Sequence, residues 1–105
     1  MSTLTAEQNF ALDQLREHLY SGSHLYTRTD YGRGETDYVR LYVVSENRQI
    51  LDMTYAVAKL SGRRLTDRGL ALRGGNYSKG LEVADDAYKA VYGRPLDQSR
   101  WMEIK

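Results

Sequence analysis

Two short runs of alternating side chains constrain the fold of this chain more than any other feature. Residues 24–29 (HLYTRT) and 37–44 (DYVRLYVV) repeat with a period of two, which is typical of strands that bury one face. The predicted inner face carries Leu25, Thr27, Thr29, Val39, Leu41 and Val43. The opposite face carries Tyr26, Arg28, Tyr38, Arg40 and Tyr42. Because the intervening residues 30–35 include two glycines, we predict a β-hairpin.

A first helix is predicted before this hairpin. Thr5 and Gln8 have the spacing of a capping box, in which each side chain bonds the backbone N–H of the other residue. Apolar residues then recur at helical spacing at Ala11, Leu12, Leu15 and Leu19. Gly22 is a suitable left-handed stop after them.

Two further helices and one strand are predicted after the hairpin. A second helix covers residues 47–60, with an apolar stripe at Ile50, Met53, Val57 and Leu60. A short strand at residues 70–73 leads through a glycine-bounded loop, residues 74–80, into a third helix. The third helix is predicted to bury Leu81, Ala84, Tyr88 and Val91 and to end before Pro95. The apolar side chains near the end of the sequence should pack on the body, namely Trp101, Met102 and Ile104.

This order of elements predicts the fold class. An α-β-β-α-β-α chain of 105 residues fits a single small α+β domain that covers residues 1–105. We expect two layers, with a three-stranded sheet and the helices packed on one of its faces. Leu70 and Leu72 join the hairpin residues on that buried face.

Composition argues against several classes of function. The chain has no cysteine, so disulfides and thiolate metal sites are excluded, and no apolar run is long enough to span a bilayer. The start of the sequence lacks the pattern of a signal peptide, and we expect a cytoplasmic protein. His18 and His24 have no carboxylate or serine neighbour at a spacing that indicates catalysis. We therefore predict no enzyme activity, no catalytic residue, no metal and no cofactor.

The outer face of the predicted sheet is the first candidate site. Arg73 from the third strand should join the five tyrosines and arginines of the hairpin there. Interleaved aromatic and basic residues on an open sheet can stack bases and hold phosphates in RNA-binding proteins. The same residue types anchor protein–protein interfaces. A third interpretation is that tyrosine merely favours strands and that a helix covers this face.

A basic cluster around the glycine loop is the second candidate site. Between residues 63 and 79 the chain has one acidic residue, Asp67, against five basic residues, namely Arg63, Arg64, Arg68, Arg73 and Lys79. With Asn76 in the loop and the start of a helix beside it, this region should attract an acidic partner. The loop has the spacing of neither the Walker motif nor the dinucleotide fingerprint. Its glycines can also serve only to turn the chain and to let the helix begin close to the sheet.

Residues 38–92 run from a polar and aromatic hairpin to a helix that ends AKLSGRRL, then a short strand, a Gly-Gly loop and a helix that contains VADDAYKAVYG. This order resembles a family of small, uncharacterised proteins encoded by tailed phages and prophages. Members often have a longer loop rich in methionine after the glycines, where this chain has NYSK. The segment ADDAYKAVYG is also locally similar to small anti-CRISPR proteins of Pseudomonas phages.

The resemblance implies a phage accessory protein, and such proteins commonly act by binding and blocking a host macromolecule. We therefore expect a non-enzymatic inhibitor of a host defence or regulatory complex in the host cytoplasm, with an anti-CRISPR as the sharpest form. Its partner would be a host protein or a ribonucleoprotein such as a CRISPR effector, and not a membrane. A monomer or a small homo-oligomer is expected. The alternatives are a nucleic-acid-binding protein that uses the Tyr/Arg face and the basic loop, and a binder of a small anionic ligand at the loop.

Overall fold

The centre of the fold is the hairpin formed by β1 (Leu25–Tyr31) and β2 (Thr36–Val44). The computed structural model describes residues 3–19, 23–32, 35–45, 47–74 and 79–104. The two strands are antiparallel, with Leu25 opposite Val43 at one end and Tyr31 opposite Asp37 at the other. The predicted hairpin is confirmed. Its inner face is as expected, since the side chains of Leu25, Val39, Leu41 and Val43 are fully buried.

Four further strands complete a sheet of six. Two strands pair with the edge of β2 that faces away from β1. β5 (Gly69–Arg73) pairs with the first half of β2, and β3 (Ile50–Asp52) pairs with the end of β2. The short β4 (Leu65–Thr66) pairs with the edge of β5 that faces away from β2. At the opposite end of the sheet, β6 (Trp101–Glu103) runs parallel to β1. The mixed α+β class is confirmed, whereas the prediction of three strands is wrong. Strands of two or three residues are too short to show a period in the sequence.

The first helix, α1 (Ala6–His18), is confirmed together with its capping box. Thr5 Oγ1 accepts from the backbone N–H of Gln8 at 3.1 Å, and Gln8 Oε1 accepts from the N–H of Thr5 at 3.0 Å. The predicted apolar stripe is buried at Ala11, Leu12, Leu15 and Leu19. The proposed stop at Gly22 lies outside the described residues.

The second helix, α2 (Thr54–Ser61), is much shorter than the predicted helix over residues 47–60. Ile50, which was assigned to its apolar stripe, lies in β3 and is 72% exposed. The carboxylate of Asp52 accepts from the backbone N–H of Thr54 at 2.9 Å, which ends the strand and starts the helix. The hydroxyl of Thr54 accepts from the N–H of Leu41 at 3.0 Å, so the helix start is tied to β2.

The third helix, α3 (Lys79–Tyr92), buries half of its predicted stripe. Ala84 and Tyr88 are buried as predicted, whereas Leu81 and Val91 are only half-buried. The other buried residues of the helix are Gly80, Val83 and Ala87. A β-carbon at Gly80 would lie 2.2 Å from Thr27 Oγ1, which is far closer than atoms can approach. The prediction that Gly80 lets this helix begin close to the sheet is therefore confirmed.

The last strand, β6, pairs with the start of β1, and Thr27 makes the side-chain contacts that hold it there. Trp101 Nε1 donates to Thr27 Oγ1 at 2.9 Å, and the Thr27 hydroxyl donates to Glu103 Oε2 at 2.7 Å. The backbone N–H of Ile104 donates to the Thr27 carbonyl at 2.7 Å. The predicted packing is confirmed for Trp101 but is wrong for Met102 and Ile104, which are 62% and 40% exposed. Met102 is exposed because it points to the sheet face opposite the helices, beside Tyr26.

The hydrophobic core lies between the sheet and the three helices. α2 and α3 contact the sheet, and α1 packs on both of them. The buried residues come from all three helices and from the inner faces of β1, β2 and β5. Across the described ranges, none of the helices combines the length and the apolar character that crossing a membrane requires.

Candidate functional site

The sheet face opposite the helices is the candidate site, and we call it the open face. It is built from alternate residues of β1, β2, β3, β5 and β6. Its charged, aromatic and sulfur-containing side chains are Tyr26, Arg28, Asp30, Tyr38, Arg40, Tyr42, Asp52, Arg73 and Met102, and Thr36, Val44, Ile50 and Ala71 share the same phase. The structure thus brings together the six residues predicted for this face, including Arg73. All of them are half-buried or exposed, and the three helices lie on the other side of the sheet.

Arg68 reaches the open face from the turn between β4 and β5. Its Nε and Nη2 each donate to a carboxylate oxygen of Asp30 at 2.8 Å, in a two-point ion pair. The guanidinium also lies over the ring of Tyr38, 4.3 Å from the ring centre. The hydrogen bonds from Arg68 lower the pKa of the Asp30 carboxyl below its ordinary value of 3.8.

The Arg68–Asp30 pair gives a testable pH dependence. Because the folded pKa of Asp30 is lowered, the pair stabilises the fold above pH 3.8 and loses that contribution as the pH falls through the folded value. We expect Arg68→Ala to raise the pKa of Asp30 towards 3.8, as measured by a carboxyl carbon NMR titration. Arg73→Ala, which removes an exposed arginine of the same face, should leave it unchanged. An unaltered Asp30 titration in Arg68→Ala would contradict the pairing.

The two arginines of the hairpin differ in their contacts. Arg40 Nη1 lies 3.2 Å from Asp52 Oδ2, and Arg40 Nη2 donates to the backbone carbonyl of Asp67. Arg28 stands directly opposite Arg40 in the antiparallel register. It is exposed, and within the described part of the chain no carboxylate lies close enough to form an ion pair with it. Arg28 acts on Asp30 only at longer range, where its positive charge helps to lower the pKa of that carboxyl.

A groove of about 630 Å³ runs across this part of the open face. Its lining residues are Arg28, Thr29, Asp30, Tyr31, Arg40, Tyr42, Asp67 and Arg68. The residues of this groove that sequence reasoning did not select are Thr29, Asp30, Tyr31 and Asp67. Asp30 follows Tyr26 and Arg28 in the same alternation, so that signal was present in the sequence.

The predicted basic cluster is not one surface, and this part of the sequence interpretation is corrected. Arg63 Nη2 and Nη1 lie 2.8 Å from Glu82 and Asp86 of α3, on the helix side of the molecule. Lys79 Nζ lies 3.6 Å from Glu82, and its side chain is only 15% exposed. Arg64 is exposed beside β4, whereas Arg68 and Arg73 belong to the open face. The charges are distributed because strands and helices alternate along this stretch and point them to opposite sides.

The described residues give little support to the hypothesis of an anion-binding site at the glycine loop. Gly74 donates its backbone N–H to the carbonyl of Glu35, which fixes the end of β5 to the hairpin. Residues 75–78, with Asn76 among them, lie outside the described residues. The cations next to the start of α3, Arg63 and Lys79, are paired with carboxylates of that helix. Burial raises the pKa of Asp86 in this group, and Arg63 opposes the rise.

Histidine, aspartate and glutamate side chains are the groups of this chain that could form a metal-binding or catalytic arrangement. In the part of the chain that the structure describes, no three His, Asp or Glu side chains are grouped so that they could hold a metal ion. His18 Nε2 lies 3.9 Å from Glu17 on the exposed side of α1, away from the groove. Comparison with protein-family models, with curated protein sequences and with solved structures finds no match to this chain. The open face is thus the feature on which a function can be based.

Proposed function

We propose that this chain is a non-enzymatic binding protein that docks a partner protein on its open face. The observation that supports this proposal is the set of three half-buried tyrosines, Tyr26, Tyr38 and Tyr42, interleaved with arginines on a sheet face opposite the helices. Tyrosine and arginine are the residue types that most often anchor protein interfaces, because each offers a large apolar area together with hydrogen bonds. The exposed Met102 extends this surface next to Tyr26.

The charge balance of the open face favours a protein over a nucleic acid. Two of its arginines are neutralised within the molecule, Arg40 by Asp52 and Arg68 by Asp30. A nucleic-acid site gains most of its affinity by placing free lysines and arginines on phosphates. Carboxylates on the same face would repel that backbone. A partner protein, in contrast, can exchange hydrogen bonds with both signs of charge.

The biological form of the proposal comes from the sequence resemblance. The segments AKLSGRRL and VADDAYKAVYG support a phage-encoded accessory protein that binds and inhibits a host macromolecular complex in the host cytoplasm. Its sharpest form is an anti-CRISPR whose partner is a protein subunit of a CRISPR effector.

Binding of nucleic acid is the second candidate function. It is favoured by Arg28 and Arg73, which are exposed and stand among tyrosines whose rings could stack on bases. Titration with single-stranded and duplex oligonucleotides at two salt concentrations separates the candidates, since phosphate contacts weaken steeply with salt. Tight and salt-sensitive binding would favour this second function over the first. A small anionic ligand at the glycine loop has less support, because Lys79 there is paired with Glu82.

The proposed function predicts the effect of removing two rings. The double variant Tyr38→Ala, Tyr42→Ala should weaken capture of host proteins or of purified CRISPR effector complexes by at least about thirtyfold, because truncation of one hot-spot tyrosine already costs about 2 kcal/mol or more. Tyr55→Ala is the matched control, since Tyr55 is 51% exposed but lies on α2, on the other side of the sheet. Circular dichroism should show both variants folded. Equal binding by the double variant and the parent would contradict the assignment of the open face.

A further inference from the structure

The outer edge of β1 is covered along only its first half. β6 pairs with it from Leu25 to Thr27, and the last contact is the hydrogen bond from the N–H of Ile104 to the Thr27 carbonyl at 2.7 Å. The other edge of β1 is paired with β2 along its whole length, as far as Tyr31. Residues 28–31, which we call the free half of β1, therefore have no neighbouring strand on one side as far as the described residues extend.

The backbone groups of the free half determine what can bind there. Successive residues of a strand direct their N–H and C=O groups to opposite edges. Since the Thr27 carbonyl faces β6, the groups of Thr29 and Tyr31 face the same side, away from β2. Within the described ranges no backbone group bonds them there. Such a row of unpaired donors and acceptors is a template for another strand.

The groove of about 630 Å³ follows the free half of β1. All four residues of that half line it. Arg28 and Asp30 belong to the open face, whereas Thr29 and Tyr31 alternate with them. Because the groove contacts consecutive residues, whose side chains point to opposite faces, it reaches the backbone between them. Arg28, Asp30 and Tyr31 are exposed, so this edge is accessible to a partner.

The row of backbone groups selects the occupant. A helix satisfies its backbone groups internally, and a nucleic-acid strand presents phosphates, so neither offers a matching row. An extended polypeptide offers alternating N–H and C=O groups at the spacing of a strand. The chain itself shows that a short strand is sufficient, since β3 and β6 have three residues each and pair with β2 and β1.

We infer that the free half of β1 takes up an extended segment of the partner protein as an added strand, placed end to end with β6. Backbone hydrogen bonds provide the affinity, and alternate side chains provide the specificity. The side chains that face Thr29 and Tyr31 are best β-branched or aromatic, because such cross-strand pairs stabilise sheets. The inference rests on the proposed function, since it names the part of the partner that docks at the edge of the open face.

The test is an NMR titration of the ¹⁵N-labelled chain with the peptide acetyl-Thr-Val-Thr-Val-Thr-amide and with an analogue whose backbone nitrogens are all methylated. We expect the amide proton signals of Thr29 and Tyr31 to move downfield and saturate with the first peptide. The amides of Arg28 and Asp30 face β2 and should move much less. The methylated analogue has the same side chains but no N–H donor, so its affinity should be at least about tenfold weaker.

Two variants of one residue test the same bond from the side of the chain. Thr29→Pro removes the outward N–H and should weaken peptide binding by about tenfold. The fold should tolerate it, because proline is accepted on a strand edge where the N–H takes no part in the ladder. Thr29→Ala is the matched control, since it keeps the N–H and should bind within about twofold of the parent. If circular dichroism shows that Thr29→Pro is unfolded, the methylated peptide still decides.

Three results would overturn the inference: equal affinity for both peptides, unchanged binding by folded Thr29→Pro, or no saturating shift at Thr29 and Tyr31 up to the solubility limit of the peptide. A captured host partner distinguishes this failure from failure of the proposed function. If Tyr38→Ala, Tyr42→Ala loses the partner and Thr29→Pro keeps it, the open face binds but strand addition is wrong. If both variants keep the partner, both ideas fail.

Discussion

Replacing Leu41 by alanine should lower the free energy of unfolding by about 2–5 kcal/mol, through lost burial and the cavity that remains. Leu41 has no exposed surface, and it lies in the middle of β2 facing the helices. Both of its backbone groups are bonded to the start of α2, since its N–H donates to Thr54 Oγ1 and its carbonyl accepts from the N–H of Met53 at 2.9 Å. The surrounding structure therefore cannot collapse easily into the space. Because a small domain has only about 5–15 kcal/mol in total, the midpoint of urea unfolding should fall steeply.

The matched control for this variant is Ile50→Ala. Ile50 is also aliphatic and also lies in the sheet, but it is 72% exposed at the end of β3. Its replacement should change the free energy of unfolding by about 0.5 kcal/mol or less. If the two variants unfold at the same urea concentration, the inner face of β2 is not where the structure places it.

Gly69→Ala is the second large effect, with an expected loss of about 2–5 kcal/mol from backbone strain and steric overlap together. Gly69 has a φ of +129°, which side chains of L-residues rarely allow. A β-carbon there would lie 2.6 Å from the carbonyl oxygen of Val39, a backbone atom in the centre of the sheet. Since that atom cannot move without disturbing β2, the turn between β4 and β5 must open instead. Thermal unfolding followed by circular dichroism measures the loss.

The variant Gly62→Ala separates the effect of backbone strain from the effect of steric overlap. Gly62 also has a positive φ, +70°, but a β-carbon there meets nothing within 4 Å. It should lose only the strain of the left-handed conformation, about 1–2 kcal/mol. A loss at Gly69 no larger than the loss at Gly62 would show that the close approach to Val39 is absent.

The features that sequence analysis identified correctly are those encoded by local repetition. The capping residues Thr5 and Gln8 and the apolar spacing after them define α1 without help from the rest of the chain. Each face of β1 and β2 could be assigned because the alternation is long, at seven and nine residues. The same alternation placed the tyrosines and arginines of the open face together, so this part of the candidate site could be predicted from the sequence.

The features that were missed depend on contacts between distant parts of the chain. β6 pairs with β1 through residues such as Thr27 and Glu103, which are 76 positions apart, and three residues contain no local signal for such a strand. Ile50 falls in phase with the stripe of α2, and only its pairing with Val44 removes it from the helix. Helical spacing alone cannot show that strand pairing takes a residue away from a helix.

The basic cluster shows the same limit for charge. Counting residues along the chain found few acids near Arg63 and Arg68, but their partners come from elsewhere. Asp30 lies 38 positions before Arg68, and Glu82 lies 19 positions after Arg63. Local charge excess therefore overestimated the number of free cations in this stretch. The exposed Arg28 was found by the alternation of β1 and not by a count of charges.

The position of β2 between β1 on one side and β3 and β5 on the other has a consequence for the kinetics and entropy of recognition. A strand that has neighbours on both edges can separate from them only when much of the sheet opens, so its amide hydrogens exchange at the slow limit of the molecule. Tyr38, Arg40 and Tyr42 all stand on this strand. Their backbone is ordered before any partner arrives. Association therefore loses little chain entropy at these positions, and the lifetime of a complex is governed by contacts and not by refolding.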